Sequence, residues 1–199
     1  MMASVLRCLP LLFVLGCGDG RTGSVQNATP GAATPMDDGG VAAESTSIEN
    51  QDPSPVQWTA GIVEQSHVVT GVALLTDIRT ARNEGFDRVV IEFHDPEMPS
   101  YRIEYVDQPV RQCGSGEVVP IEGDAWLLIR LEPANAHDEQ GRPTVAERSF
   151  RPGLPTLREV SILCDFEAQV EWVIGVASPN LFRVMELGDP ARLVIDVRH

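Results

Sequence analysis

Lysine is missing from this chain altogether: its fifteen basic side chains are all arginine, set against twenty-nine aspartates and glutamates. The absence fits codon bias in a GC-rich genome, and the imbalance it leaves is the more informative fact. With a formal net charge of −14 and a pI near 4.6, the surface repels phosphate backbones, which excludes nucleic acid as a partner. It also excludes electrostatic docking on anionic lipid, which requires clustered basic residues. The N-terminal apolar run from Leu9 to Leu15 is interrupted by Pro10 and falls short of the about 20 residues that span a bilayer. No segment carries a sustained 3.6-residue period, and proline recurs too often for long helices. The four histidines (His67, His94, His137 and His199) match no metal-ligand spacing. No glycine loop stands ahead of a helix to cradle phosphate. Neither a metal nor another cofactor is expected.

The N-terminus supplies what the charge withholds. Arg7 is the sole charge before a short apolar segment that suits a signal peptide, and that segment closes on Val14-Leu15-Gly16-Cys17. The junction resembles a bacterial lipobox, in which a small residue precedes a cysteine that becomes the acylated first residue of the mature protein. Several acyl chains anchor stably where one does not. Residues 1–16 are therefore expected to be a lipoprotein signal peptide, with Cys17 as the lipidation site. From Cys17 to Gln57 the chain is mostly Gly, Ala, Ser, Thr, Pro and acidic residues, which bury too little surface to offset ordering entropy. This stretch is expected to be a disordered tether with a root-mean-square span on the order of 35 Å. Once Cys8 is discarded and Cys17 lipidated, Cys113 and Cys164 remain. An even pair in an oxidising compartment is expected to form a disulfide; the alternative, a metal site, lacks further ligands.

After Trp58 the pattern becomes short β-rich runs divided by turn residues. Val72–Thr80, Arg88–Phe93, Tyr101–Val106, Ala125–Leu131, Val160–Phe166, Gln169–Val176, Phe182–Leu187 and Arg192–Val197 read as strands, with a hairpin turn at Asn83-Glu84-Gly85. Val89, Ile91 and Phe93 share one face; Leu193, Ile195 and Val197 share another, with Arg192, Asp196 and Arg198 opposite around Val194. About eight antiparallel strands point to an all-β, two-sheet sandwich of jelly-roll-like type over residues 58–199. The proline-rich segment from Glu132 to about Leu157 is expected to cross between the sheets as an ordered loop.

Several local patterns invite chemical readings. Gln112-Cys113-Gly114-Ser115-Gly116 superficially suggests a nucleophile elbow, but Cys113 stands where glycine is required, so a disulfide-anchored turn is expected. His137-Asp138-Glu139 offers metal-ligand types in adjacent positions, which rarely aim at one centre, and Gly141 and Pro143 after them mark a solvated turn. Tyr101, Tyr105 and Trp172 alternate with aliphatic residues and are expected in the core, whereas Trp58, at the end of the tether, is freer to be exposed.

Four segments in order carry a family likeness: Gly85-Phe86-Asp87-Arg88-Val89-Val90-Ile91-Glu92-Phe93; Tyr101-Arg102-Ile103-Glu104-Tyr105-Val106; Ala136-His137-Asp138-Glu139-Gln140-Gly141-Arg142-Pro143; and Ala191-Arg192-Leu193-Val194-Ile195-Asp196-Val197-Arg198-His199. Together they resemble the AMIN-like domain of bacterial envelope lipoproteins, over roughly Val69 to His199. The resemblance implies a β-sandwich related to the AMIN modules of cell-wall amidases and secretins, which localise their proteins by binding peptidoglycan. In those proteins the module precedes an effector domain, whereas here the sequence stops with the module. The resemblance marks no catalytic residue, so a non-enzymatic module is expected, held at an extracytoplasmic membrane surface by its lipid. Its partner is peptidoglycan or another envelope glycan, or alternatively an envelope protein. Arg79, Arg82 and Arg102 are candidate ligand contacts, as forked donors to stem-peptide carboxylates.

Replacing Cys17 with Ser is expected to abolish lipidation and release the protein from membranes. Phase partitioning of Cys17→Ser protein into detergent, with unchanged mobility, would refute the lipobox assignment.

Overall fold

The computed structural model describes residues 57–199; Cys17, the signal peptide and nearly all of the tether lie outside the described residues. Among the described residues there is no helix, and eleven strands occur in the order β1 (Val63–Gln65), β2 (Ala73–Asn83), β3 (Phe86–Phe93), β4 (Ser100–Val106), β5 (Ala125–Glu132), β6 (Ala134–Asn135), β7 (Ser149–Phe150), β8 (Leu157–Phe166), β9 (Gln169–Val176), β10 (Phe182–Leu187) and β11 (Arg192–Arg198). They form a six-stranded sheet, β1-β4-β5-β9-β8-β7, and a five-stranded sheet, β10-β11-β3-β2-β6.

Each of the eight β-rich runs is a strand. β1, β6 and β7 are too short to carry a periodic signal, and only their pairing reveals them. The β2–β3 hairpin turns at Glu84-Gly85, where Gly85 takes a φ of 80° that a side chain disfavours. All pairings are antiparallel except β2 with β6, which is parallel. This exception arises in the proline-rich segment. The chain leaves β5 in one sheet, adds β6 to the other, and returns through β7 beside β8. The segment does cross between the sheets, and it contributes a short strand to each.

The core lies between the inner faces of the two sheets. Val89, Ile91 and Phe93 on β3 and Leu193, Ile195 and Val197 on β11 meet Leu127, Ile129 and Leu131 on β5 and Trp172, Ile174 and Val176 on β9, all buried. Tyr101 is buried with them, and Tyr105 packs at the margin with its hydroxyl donating to the Asn180 carbonyl at 2.6 Å. Burial pushes the Tyr105 phenol up to about 12. Trp172 is wholly enclosed, and its indole N–H finds no partner among the described residues. Leaving a donor unpaired costs about 1–3 kcal/mol, less than burial of a ring that size returns.

Polar groups at the margins of this core hold the connections. The buried Asp87 carboxylate accepts the N–H groups of Thr156 at 2.7 Å and Leu157 at 3.2 Å, and pairs with His199 at 3.0 Å. Asp165, with 6% of its side chain exposed, accepts the Ala136 N–H at 2.9 Å and pairs with His137 and Arg148. Burial alone would raise the Asp165 carboxyl. The Ala136 N–H, Arg148 and His137 outweigh that and hold it below the ordinary value of 3.8.

A second apolar cluster covers the outer face of the six-stranded sheet. Val110 and Ile121, from the loop between β4 and β5, lie on Leu163 and Val173, with Trp126 donating to the Ile121 carbonyl at 3.2 Å. The Cys113–Cys164 disulfide pins this loop to β8. Gly175 permits the crossing, because a Cβ there would run into the Glu122 carbonyl.

Two outcomes test this account of the margins. Replacing both Cys113 and Cys164 with Ala should cost about 4 kcal/mol by chain entropy for a loop of this length, measured by denaturant unfolding. Asp165→Asn should cost about 3 kcal/mol, because two charged partners lose their acceptor. The folded-state carboxyl lies below its unfolded value, so its contribution is full above about pH 5 and fades as the pH falls below about 4. The gap between wild type and Asp165→Asn should therefore narrow in acid. A gap that widens there would contradict this account.

Candidate functional site

The outer faces of the two sheets differ. That of the six-stranded sheet is partly roofed by the disulfide-bonded loop. That of the five-stranded sheet carries a grid of side chains fixed by strand register. One row runs Leu187, Arg192, Glu92, Asp77; the next runs Met185, Val194, Val90, Arg79; a third runs Arg183, Asp196, Arg88, Ala81; and Arg198 then lies opposite Phe86 and Asn83. The face holds five arginines and three carboxylates, a surplus of positive charge on a chain whose net charge is −14.

The third row is the anchor. Asp196 is fully buried although it points outward, because two guanidinium groups cover it. Arg88 makes a forked contact, at 2.6 Å through Nε and 3.0 Å through Nη2, and Arg183 adds Nε at 2.8 Å. The hydrogen bond to Asp196 raises the Arg88 pKa above its ordinary value, although burial opposes it. Two cations share one anion, which leaves the row positive.

Trp58 sits at the border of this face. Thr59 exchanges both backbone hydrogen bonds with Phe182 on edge strand β10, each at 2.8 Å, and this sets the preceding residue against the sheet. The Trp58 ring lies 4.6 Å from the Arg183 guanidinium and 5.4 Å from that of Arg198, and meets Phe86 edge-on at 6.1 Å. The ring is half-buried rather than free, because two arginines and Phe86 offer cation–π and edge-to-face contacts at this spot. Arg198 is exposed and pairs with no carboxylate among the described residues.

Arg79, Arg82 and Arg102 are not brought together. Arg79 lies on the outer face of β2, where it bonds Asp77 at 2.8 Å and Glu92 at 2.9 Å. The bond to Asp77 raises its pKa against partial burial, with help from Glu92. Arg82, three residues on, emerges from the opposite side of the same strand near its end and pairs with no carboxylate among the described residues. Arg102 belongs to the other sheet, where it bonds Glu104 and Glu64, both at 2.7 Å. Its hydrogen bond holds Glu104 below the ordinary carboxylate range.

The remaining candidates are structural. Ser115 donates to Gln112 at 3.1 Å within the turn that Cys113 anchors, with no base beside it. His137 is engaged by Asp165, and Asp138 caps its own turn by accepting from Gln140 and Arg142, which lowers its carboxyl. His137 and Asp138 line an open groove of about 620 Å³ with His94, Asp95 and Glu139. Among the described residues no group of His, Cys, Asp or Glu has the geometry to hold a metal, and no helix is long and apolar enough to cross a membrane.

Sequence reasoning missed Arg183 and Arg198 as partners of Trp58. Alternation does place Phe86, Arg88, Asp196 and Arg198 on outward positions. That β11 pairs with β3 and brings β10 to the sheet edge, more than eighty residues from β3 in sequence, has no local signal. A family model described as the AMIN-like domain matches residues 73–199. No curated protein and no solved structure matches the chain.

Proposed function

The chain belongs to the AMIN-like domain family, and on that premise we propose that it is a non-catalytic, lipid-anchored binding module that contacts peptidoglycan or another envelope glycan. Domains of this family are in general cell-wall-related binding modules of the extracytoplasmic envelope. The observation that carries the proposal is the family match over the whole of both sheets from β2 onward. An open outer face bearing arginines and an aromatic ring supports it, since forked guanidinium donors suit carboxylates.

In this proposal Cys17 carries the lipid, residues 17–57 form the tether, and residues 58–199 form the binding domain. Of the three arginines singled out from sequence, Arg82 is the most available to a ligand. Arg79 and Arg102 would first have to release carboxylates that they already hold. A second reading, docking on an envelope protein, draws on edge strand β1, which is flanked by exposed Ile62 and Val68.

The full chain carrying Cys17→Ser should co-sediment with purified insoluble peptidoglycan. Failure to do so, together with a protein captured by crosslinking through β1, would favour the second reading. Reach offers an independent check. A tether of about 40 residues extends to at most roughly 130 Å, and one of about ten residues to roughly 35 Å. Shortening it should therefore lower in-cell crosslinking to the wall without changing the domain's melting temperature. Equal crosslinking from both lengths would count against wall contact.

A further inference from the structure

We propose that the outer face of the five-stranded sheet, around Trp58, Arg183 and Arg198, is a binding site for the carboxylates of an anionic glycopeptide strand. The proposal rests on the wall-binding reading and assigns it to a particular surface, on which only Arg79 of the three arginines singled out from sequence lies, away from Trp58 and held by Asp77 and Glu92.

Charge selects the ligand. The protein as a whole repels anions, yet this face gathers five of its fifteen arginines against three carboxylates. A polyanion approaching the molecule meets a favourable field here. The partition of the arginines sharpens the argument. Arg88 is committed to Asp196 through two hydrogen bonds, and Arg79 to Asp77 and Glu92. Arg183 gives Asp196 a contact through Nε, while Arg198 is exposed with no carboxylate partner among the described residues. A guanidinium with donors to spare, held beside an aromatic ring, is preorganised for a planar anion.

Trp58 adds the second half of the recognition. Its position is set by the Thr59 bridge to β10 and by its contacts with Arg183, Arg198 and Phe86. An indole held at a sheet border offers flat apolar area to a sugar ring while the neighbouring guanidinium groups take a carboxylate. In the next row, in register with the charged one, the half-buried Met185 and Val90 flank the buried Val194 and add apolar surface. A free amino acid would fill little of this surface; a strand that alternates apolar rings and carboxylates matches both rows.

Retention of the full chain, carrying Cys17→Ser, on insoluble peptidoglycan tests the proposal. Native peptidoglycan is compared with the same material after its carboxylates have been converted to amides. Arg198→Glu and Trp58→Ala should each weaken retention on native material by about tenfold, the loss of one charged or stacked contact. Arg158→Glu serves as control: it changes the charge equally at an exposed position of β8 in the other sheet, and should retain wild-type binding. Amidation should weaken the wild type as much as Arg198→Glu does. Wild-type retention by both face variants overturns the site and leaves the wall-binding reading standing. Loss in the variants without any effect of amidation overturns the carboxylate assignment. No retention of the parent chain, with or without residues 37–52, overturns the wall-binding reading and the site together. Retention only after residues 37–52 are deleted gives the face to the chain's own acidic stretch, from Asp37 to Asp52, and overturns the glycopeptide assignment. Unchanged melting temperatures of Arg198→Glu and Arg158→Glu keep these outcomes free of folding effects.

Discussion

A chain that passes between two packed sheets leaves backbone N–H groups with no strand to pair with, and each one buried without a partner costs about 1–3 kcal/mol. Here buried carboxylates answer that constraint. Asp87 takes the N–H groups of Thr156 and Leu157 where the chain enters β8, and Asp165 takes that of Ala136 where the proline-rich crossover begins. Glu159 takes that of Glu122 at 3.0 Å, below the disulfide-bonded loop. A carboxylate suits the task because it accepts several hydrogen bonds at once and each is charge-assisted. Histidine or arginine then stands on the far side of each: His199 on Asp87, His137 and Arg148 on Asp165, Arg151 on Glu159. Part of the chain's acidic excess is thus internal framework.

The same framework explains why the two outer faces diverge. The loop between β4 and β5 folds over the six-stranded sheet, is pinned by Cys113–Cys164, and buries Leu163 and Val173, which would otherwise face solvent. No comparable loop lies over the five-stranded sheet among the described residues, so its outward side chains shield one another. Arg88 and Arg183 cover Asp196, and Val194 is buried in the row beside them. Arginine fits that arrangement better than lysine would, because one planar fork can bond a carboxylate and also stack on a ring. Arg183 does both, contacting Asp196 and Trp58. What remains exposed is a patterned, positively biased face on an acidic module, a surface suited to binding. Among the described residues, none on it is arranged as a nucleophile beside a base.

Much of this was legible in the sequence, and the reason is local. Alternation in Val89-Val90-Ile91-Glu92-Phe93, and around Val194 in Leu193-Val194-Ile195-Asp196-Val197, indicates which side chains enter the core, because successive Cβ atoms point to opposite faces. Glu84-Gly85 fixes the first hairpin, since the left-handed backbone there needs glycine. Cys113 and Cys164 were the pair expected from the sequence, and they form the disulfide present. Composition and alternation therefore determined an all-β sandwich with a core of named residues.

Strand order, and everything that depends on it, was decided only by the tertiary structure. Adjacency of β10, β11, β3 and β2 comes from packing two whole sheets against each other, which no window of sequence encodes. That adjacency stacks Arg183, Asp196 and Arg88 in one row and carries Arg198 to Trp58, which sequence alone leaves exposed at the end of a tether. It also separates Arg79, Arg82 and Arg102, which look alike as forked donors but lie on two faces of one strand and on a different sheet. Side-chain direction is a property of each strand and is written along it. Which side chains share a surface depends on register between distant strands, and that register is set by the closing of the core.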